Sequence, residues 1–117
     1  MILQKIITVA ITALFALLTL INAPVLAEAE TSLDLGAKVF KANCAGCHVK
    51  GGNIVRRGKN LKLKALHKYK VDNVDAIASL VTNGKGIMSA YGDKLTSEEI
   101  AEVSAYVLER AESGWKK

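Results

Sequence analysis

The chain is expected to fold as an all-α protein, and three observations lead there. Apolar residues recur at helical spacing in four separate segments, each with a plausible cap or stop. No segment shows the strict apolar-polar alternation of a half-buried strand. The single proline, Pro24, precedes all four segments, so nothing after it breaks a helix by ring geometry.

The segment before Pro24 is of a different kind. The first 27 residues, MILQKIITVAITALFALLTLINAPVLA, place one lysine near the start, an apolar run from Ile6 to Ile21, a breaker and then small residues. That is the layout of a secretory signal. Val25-Leu26-Ala27 suits a signal peptidase, so cleavage is expected after Ala27, with Ala29 as the second choice. A retained membrane anchor is the alternative, but the run is a little short for a span of about 20 apolar residues. The expected organisation is therefore a cleaved signal at 1–27 and one domain at 28–117. Removing 27 of the 117 residues leaves 90, and removes Lys5 but no acid, so the formal charge falls from +5 to +4. A chain of that length builds only a modest apolar core, and a large buried cofactor would supply much of the rest.

The first helix is expected at about Leu33 to Ala42, with Ser32 as N-cap and Leu33, Gly36, Ala37 and Phe40 on one stripe. A short second helix covers about Lys62 to Lys68. The third starts after Asp72, read as its N-cap. It buries Val74, Ile77, Ala78 and Val81, and stops at Asn83-Gly84. The fourth opens on Thr96-Ser97-Glu98-Glu99, a capping box, with Ile100, Val103, Tyr106 and Val107 facing inward. Loops fill Val49 to Asn60 and Asn83 to Leu95, the second loosened by Gly84, Gly86 and Gly92.

Charge divides the chain. Between Asp34 and Asp72 there are ten basic residues and no acid; from Asp72 to Glu112 there are eight acids against Lys85, Lys94 and Arg110. Nucleic-acid binding is not expected of an exported chain so poor in aromatics. Most of these lysines are ordinary solvated surface. As a group they would steer the protein toward an acidic partner.

The chemistry concentrates in NCAGCHVKGG, residues 43 to 52, which holds the only two cysteines. Cys44-x-x-Cys47-His48 is the attachment motif for c-type haem. Two sulfurs at this spacing can each form a thioether to one vinyl group of the same porphyrin, and the adjacent His48 can give the iron a nitrogen. Three rivals are weaker. A dithiol redox site expects a βαβ setting that is not visible. A zinc site would need Cys44, Cys47, His48 and the distant His67. A disulfide would close a cramped loop.

For the second axial position the candidates after the leader are Met88 and His67. Met88 sits in NGKGIMSAYG, a loop able to carry a side chain over a flat ring; His67 sits on a lysine-rich short helix. Met88 is therefore expected to be the ligand, as in haem that only carries electrons. With both axial positions taken, no site stays open for oxygen or peroxide, and the thioether favours ferrous iron and a high potential.

These residues resemble cytochrome c6, the small photosynthetic class I cytochrome. The likeness runs from about Leu35 to Trp115. It rests on GAKVFKANCAGCH, VTNGKGIM with Tyr91 three residues on, the start of the last helix, and AYVLERAESGW. The resemblance implies about four helices around one covalently attached haem c. It implies that Gly36 and Phe40 cross Val103 and Tyr106, and that Cys44 and Cys47 hold the haem while His48 and Met88 bind its iron. It also implies electron transfer from cytochrome f of the b6f complex to photosystem I in the thylakoid lumen, or also in the periplasm of a cyanobacterium. No stable membrane insertion after cleavage is implied. Four positions depart from the family pattern. Ser89 and Tyr91 replace a proline and a phenylalanine, Asn60 replaces a threonine, and Arg56 stands where an uncharged residue is usual. Arg56 either pairs with a haem propionate or projects into water. Lys94 matches an arginine near the docking face.

The expected function is thus a diffusible one-electron carrier and not an enzyme. Within the same class, donation to a respiratory terminal oxidase is the alternative. A haem peroxidase or a dithiol oxidoreductase would need an open sixth site or free thiols.

Overall fold

A computed structural model of the chain describes residues 1–7 and 25–116. Most of the expected signal, residues 8–24, lies outside the described residues. After a short helical stretch at 2–7, the described residues form four α-helices: α1 (Val25–Asn43), α2 (Leu63–Lys68), α3 (Val74–Asn83) and α4 (Ser97–Glu112). Two short 3-10 turns, Val49–Gly51 and Arg57–Lys59, organise the long connection after α1. Among the described residues no strand forms; an isolated bridge joins Lys85 and Met88. No helix among them is long and apolar enough to cross a membrane.

The expected helices are present, with two corrections at their starts. Helix α1 begins at Val25, so Ser32 lies inside it and is not its N-cap. Ala27-Glu28-Ala29-Glu30 are strong helix formers, and nothing between Pro24 and Leu33 interrupts them. Helix α3 is capped by Asn73 rather than Asp72. Asn73 holds the extended backbone an N-cap needs (φ −143°, ψ 159°), and its side chain accepts from the Ala76 amide. Asp72 is engaged elsewhere, 2.7 Å from Nδ1 of His67. At α4 the capping box forms as expected, with Thr96 and Glu99 each accepting from the other's amide.

Helices α1 and α4 cross over Gly36. A Cβ built there would lie 2.3 Å from the carbonyl oxygen of Glu102 and 2.7 Å from Cβ of Tyr106. Only a residue without a side chain lets the two backbones approach so closely. Phe40 and Val103 are buried beside the crossing, at 6% and 1% exposure, while Tyr106 is half-buried. Val39 is buried as well, one residue off the expected stripe. On α4, Ser104 is fully buried, and its hydroxyl donates to the Ile100 carbonyl at 2.6 Å. A buried hydroxyl would otherwise destabilise by a few kcal/mol. Helix α3 packs on α4 through Ile77 and Val81. Each fully buried aliphatic side chain contributes about 1.5–3 kcal/mol of transfer free energy.

The chain end closes this core. Trp115 packs 5.2 Å from the Phe40 ring and edge-on to Tyr106 at 6.3 Å. Its indole Nε1–H donates to the Leu61 carbonyl at 2.9 Å. Gly51 lies directly beneath the indole; a Cβ there would stand 2.4 Å from the ring. Gly51 also has φ +75°, so both space and backbone require glycine. The last turn of the protein thereby holds the segment that follows His48.

Candidate functional site

Helix α1 ends at Asn43, and the chain turns through Cys44–His48 on four backbone bonds, one of them from the Cys47 amide to the Cys44 carbonyl at 3.2 Å. The amides of Cys44 and Ala45 donate to the Phe40 carbonyl, and the His48 amide donates to the Cys44 carbonyl at 2.9 Å. This single turn brings Cys44, Cys47 and His48 onto one wall of a cavity of about 340 Å³. The two cysteines are not bonded to each other. Burial pushes the Cys44 thiol up to about 11, with neighbouring Cys47 adding to the shift. A thiol in that state is a poor nucleophile at neutral pH, unlike the acidified cysteine of a dithiol redox site.

The imidazole of His48 is oriented by the loop that follows. Its Nδ1 lies 2.8 Å from the Gly52 carbonyl oxygen. A carbonyl can only accept, so Nδ1 carries the proton and Nε2 keeps its lone pair. This is the arrangement that fixes a ligating histidine's tautomer and ring direction. Sequence reasoning did not identify Gly52 as the acceptor; its only sequence signal was the glycine pair that turns the chain back.

Met88 lies on the facing segment. The Gly84 that stops α3 has φ +69°, and a Cβ there would meet the Met88 carbonyl at 2.5 Å. Lys85 and Met88 close a tight turn by exchanging backbone hydrogen bonds at 3.0 and 3.1 Å, with Gly86 at φ +60° between them. The turn is then anchored at Tyr91. The Tyr91 amide donates to Val81, and the phenol donates to the Asn43 carbonyl at 3.0 Å. That last bond ties the Met88 loop to the end of α1, one residue before Cys44. Lys94 places its ammonium 5.3 Å from the centre of the Tyr91 ring.

Cys44, Cys47, His48 and Met88 therefore converge on one cavity. His67 does not join them; it lies on the exposed side of α2 beside Asp72. Among the described residues no group of three or more potential metal-binding side chains of the His, Cys, Asp and Glu types forms. The deep walls are apolar: Leu66, Val71, Ile77 and Leu80. The rim carries Asn53, Arg56, Lys59 and Asn60 on one side and Lys85 on the other, and no Asp or Glu lines the cavity. Two thiols in one turn, an imidazole with a directed lone pair, a thioether and an apolar slot with a cationic rim fit a covalently attached haem. The apolar walls match the porphyrin body, and the cations match its two carboxylates.

The loop that bears the rim is built by two asparagines, Asn53, which the sequence reading passed over, and Asn60, which it noted only as a departure from the family pattern. Asn53 accepts from the amides of Val55 and Arg56 at 3.1 and 2.7 Å and donates to the Lys59 carbonyl at 2.9 Å. Asn60 donates to the Arg57 carbonyl and accepts from the Lys62 amide. Asparagine directly after a glycine pair, as at Gly51-Gly52-Asn53, is the signal that could have shown such a turn.

Comparison with known proteins places the chain. The family described as cytochrome c oxidase, cbb3-type, subunit III matches residues 31–107. A cytochrome c6-like protein of Nostoc sp. is 47% identical over 113 residues, covering 97% of this chain and 99% of the relative. Cytochrome c6 of Aphanizomenon flos-aquae is 57% identical over 82 residues, covering 70% of this chain and 94% of that one. The crystal structure of cytochrome c6C from Synechococcus sp. superposes with a TM-score of 0.66 at 63% identity, covering 68% of this chain and 96% of that chain.

Proposed function

The chain belongs to the cytochrome c6 family of class I c-type cytochromes, with covalently attached haem c, and on that premise we propose that it is a soluble shuttle from cytochrome f of the b6f complex to photosystem I. Residues 1–27 are its cleaved signal, and the working form is the domain at 28–117 in the thylakoid lumen. Cys44 and Cys47 would hold the haem through two thioether links, and His48 Nε2 and the Met88 sulfur would bind its iron.

The observation that carries this reading is the convergence of those four side chains on one apolar cavity, with His48 locked by Gly52. The haem iron supplies reversible one-electron chemistry. Everything else falls to the chain. His48, fixed by Gly52, and Met88, fixed in its backbone-closed turn, would keep hold of the group in either redox state, so little would have to move when an electron arrives or leaves. Met88 offers a soft sulfur that favours the ferrous state. Leu66, Val71, Ile77 and Leu80 exclude water from the slot.

The mouth of the cavity is suited to brief docking. Val55, Tyr69 and Ile87 line it and remain 57%, 42% and 70% exposed. Arg56, Lys59 and Lys85 surround them. An apolar contact inside a basic border favours fast encounter with an acidic surface and fast release. Light-driven oxidation of the reduced protein by photosystem I particles is the test. Rapid oxidation that slows as salt is raised is expected. Oxidation no faster than that of free haem peptide would overturn the reading.

A second reading is donation to a respiratory terminal oxidase, favoured by the oxidase-subunit description of the matching family. Oxygen consumption by oxidase-containing membranes, driven by the reduced protein, tests it in the same experiment.

A further inference from the structure

Arg56 and Arg57 are adjacent and carry the same charge, yet they face different surroundings. Arg56 lines the cavity that holds Cys47 and His48; Arg57 does not, and lines a separate shallow groove beside Val49 and Lys62. The placement of Arg56 is built into the loop. Its amide donates to Asn53 Oδ1 at 2.7 Å. The loop is bonded directly to the attachment turn, since the Ile54 amide donates to the Cys47 carbonyl at 3.0 Å and the Leu61 amide to Gly51 at 2.8 Å. The Arg56 guanidinium has no carboxylate partner among the described residues, whose ion pairs are Lys38–Asp34 and His67–Asp72.

A haem brings two carboxylates into a cavity whose own side chains include no acid. Those carboxylates will lie at the polar rim, because the remaining walls are apolar. A planar guanidinium can hold a carboxylate with two parallel hydrogen bonds, which an ammonium cannot. We propose that Arg56 is the propionate-holding residue of this chain and that, by cancelling carboxylate charge next to the iron, it sets the reduction potential upward. A bare carboxylate near the iron stabilises the ferric state, and a paired one does so less. Arg57, turned to the outer groove, is without this effect. Lys59 shares the rim, but its ammonium stands 5.6 Å from the Tyr69 ring centre, engaged with an aromatic face. Lys85 lies across the cavity on the Met88 turn.

The inference rests on the haem c site and not on the identity of any redox partner. A colourless product would remove both, whereas a coloured product can fail this test alone. The test is potentiometric titration of purified holoprotein carrying Arg56→Gln or Arg57→Gln. Each substitution removes one positive charge from the same loop. Arg56→Gln is expected to lower the equilibrium constant for reduction about threefold, which is about 28 mV at 59 mV per tenfold for one electron, with the visible spectrum retained. Arg57→Gln is expected to leave the potential unchanged. Equal shifts in both variants, or none in either, would overturn the proposal. The wild-type holoprotein gives a second measurement that does not depend on a variant folding. In the reduced, diamagnetic state, proton NMR should show cross-relaxation between the Arg56 Nε–H and the propionate methylenes. Absence of those cross-peaks overturns the proposal as well.

Discussion

The two segments that face each other across the cavity are held by different means. His48 lies one residue from Cys47 and four from Cys44, in a turn closed by its own backbone, and its ring is fixed by Gly52 only four residues on. Trp115 then presses on Gly51 from behind. Met88 also sits in a turn closed by its own backbone, through the two bonds it exchanges with Lys85, but that turn is held in place differently. Its turn needs two glycines at positive φ, and beyond apolar packing on the core a side-chain hydrogen bond ties it to the rest of the molecule, from the Tyr91 phenol to Asn43, 48 residues away. The lesson is that the His48 turn is positioned by short-range hydrogen bonds, whereas the Met88 segment also needs a contact with a residue far off in the chain. The Met88 segment is therefore the one that opens first when stability is reduced.

Removing the sulfur proposed to bind iron should have the largest effect. Met88→Ala is expected to change the visible spectrum, lower the potential, and admit added imidazole to the iron at least tenfold more tightly than wild type. An unchanged spectrum would mean that Met88 is not the ligand.

The glycines come next. Gly84→Ala sets a Cβ against backbone atoms at 2.5 to 2.9 Å at a positive φ, and should destabilise by about 3 kcal/mol. It should also raise imidazole affinity. Gly51→Ala meets the indole at 2.4 Å and should destabilise by a similar amount, again about 3 kcal/mol. Imidazole affinity should then stay near wild type, because the strain falls on the His48 side. Denaturant midpoints and imidazole titrations of both variants check this contrast; equal imidazole affinities would remove it.

Smaller still is Trp115→Phe, which loses the bond to Leu61 and part of the ring contact, about 1–2 kcal/mol. Thermal melts of the holoprotein measure it, and ligation of Met88 should be indifferent. The smallest effect is expected for Tyr91→Phe, about 0.5–1.5 kcal/mol for one hydrogen bond. This change should loosen Met88 selectively, with a few-fold rise in imidazole affinity that Trp115→Phe does not share. If both variants behave alike toward imidazole, the two segments are not independent.

Tyr91 also accounts for one departure from the family pattern. A phenylalanine at 91 could not donate to Asn43. Here the phenol supplies a tie to a loop whose usual proline is replaced by Ser89. Arg56 accounts for another, since the residue at an ordinarily uncharged place lies at the cavity rim.

The close crossing at Gly36 was implied by the resemblance to cytochrome c6, while the amino-acid sequence alone was enough for four helices, the capping box at Thr96, the stop at Gly84, and the grouping of Cys44, Cys47 and His48. All of these depend on spacing over a few residues, or on a glycine whose neighbours leave it no alternative. The N-caps at Ser32 and Asp72 were misread because a cap depends on local backbone angles, and composition supports several adjacent choices. Only the tertiary structure decided that Trp115 reaches Leu61 across 54 residues, that Tyr91 reaches Asn43, and that Arg56 rather than Arg57 enters the cavity. Those contacts pair residues distant in the chain. Their partners are chosen by which surfaces the helix crossing brings together, and short-range patterning carries no record of that.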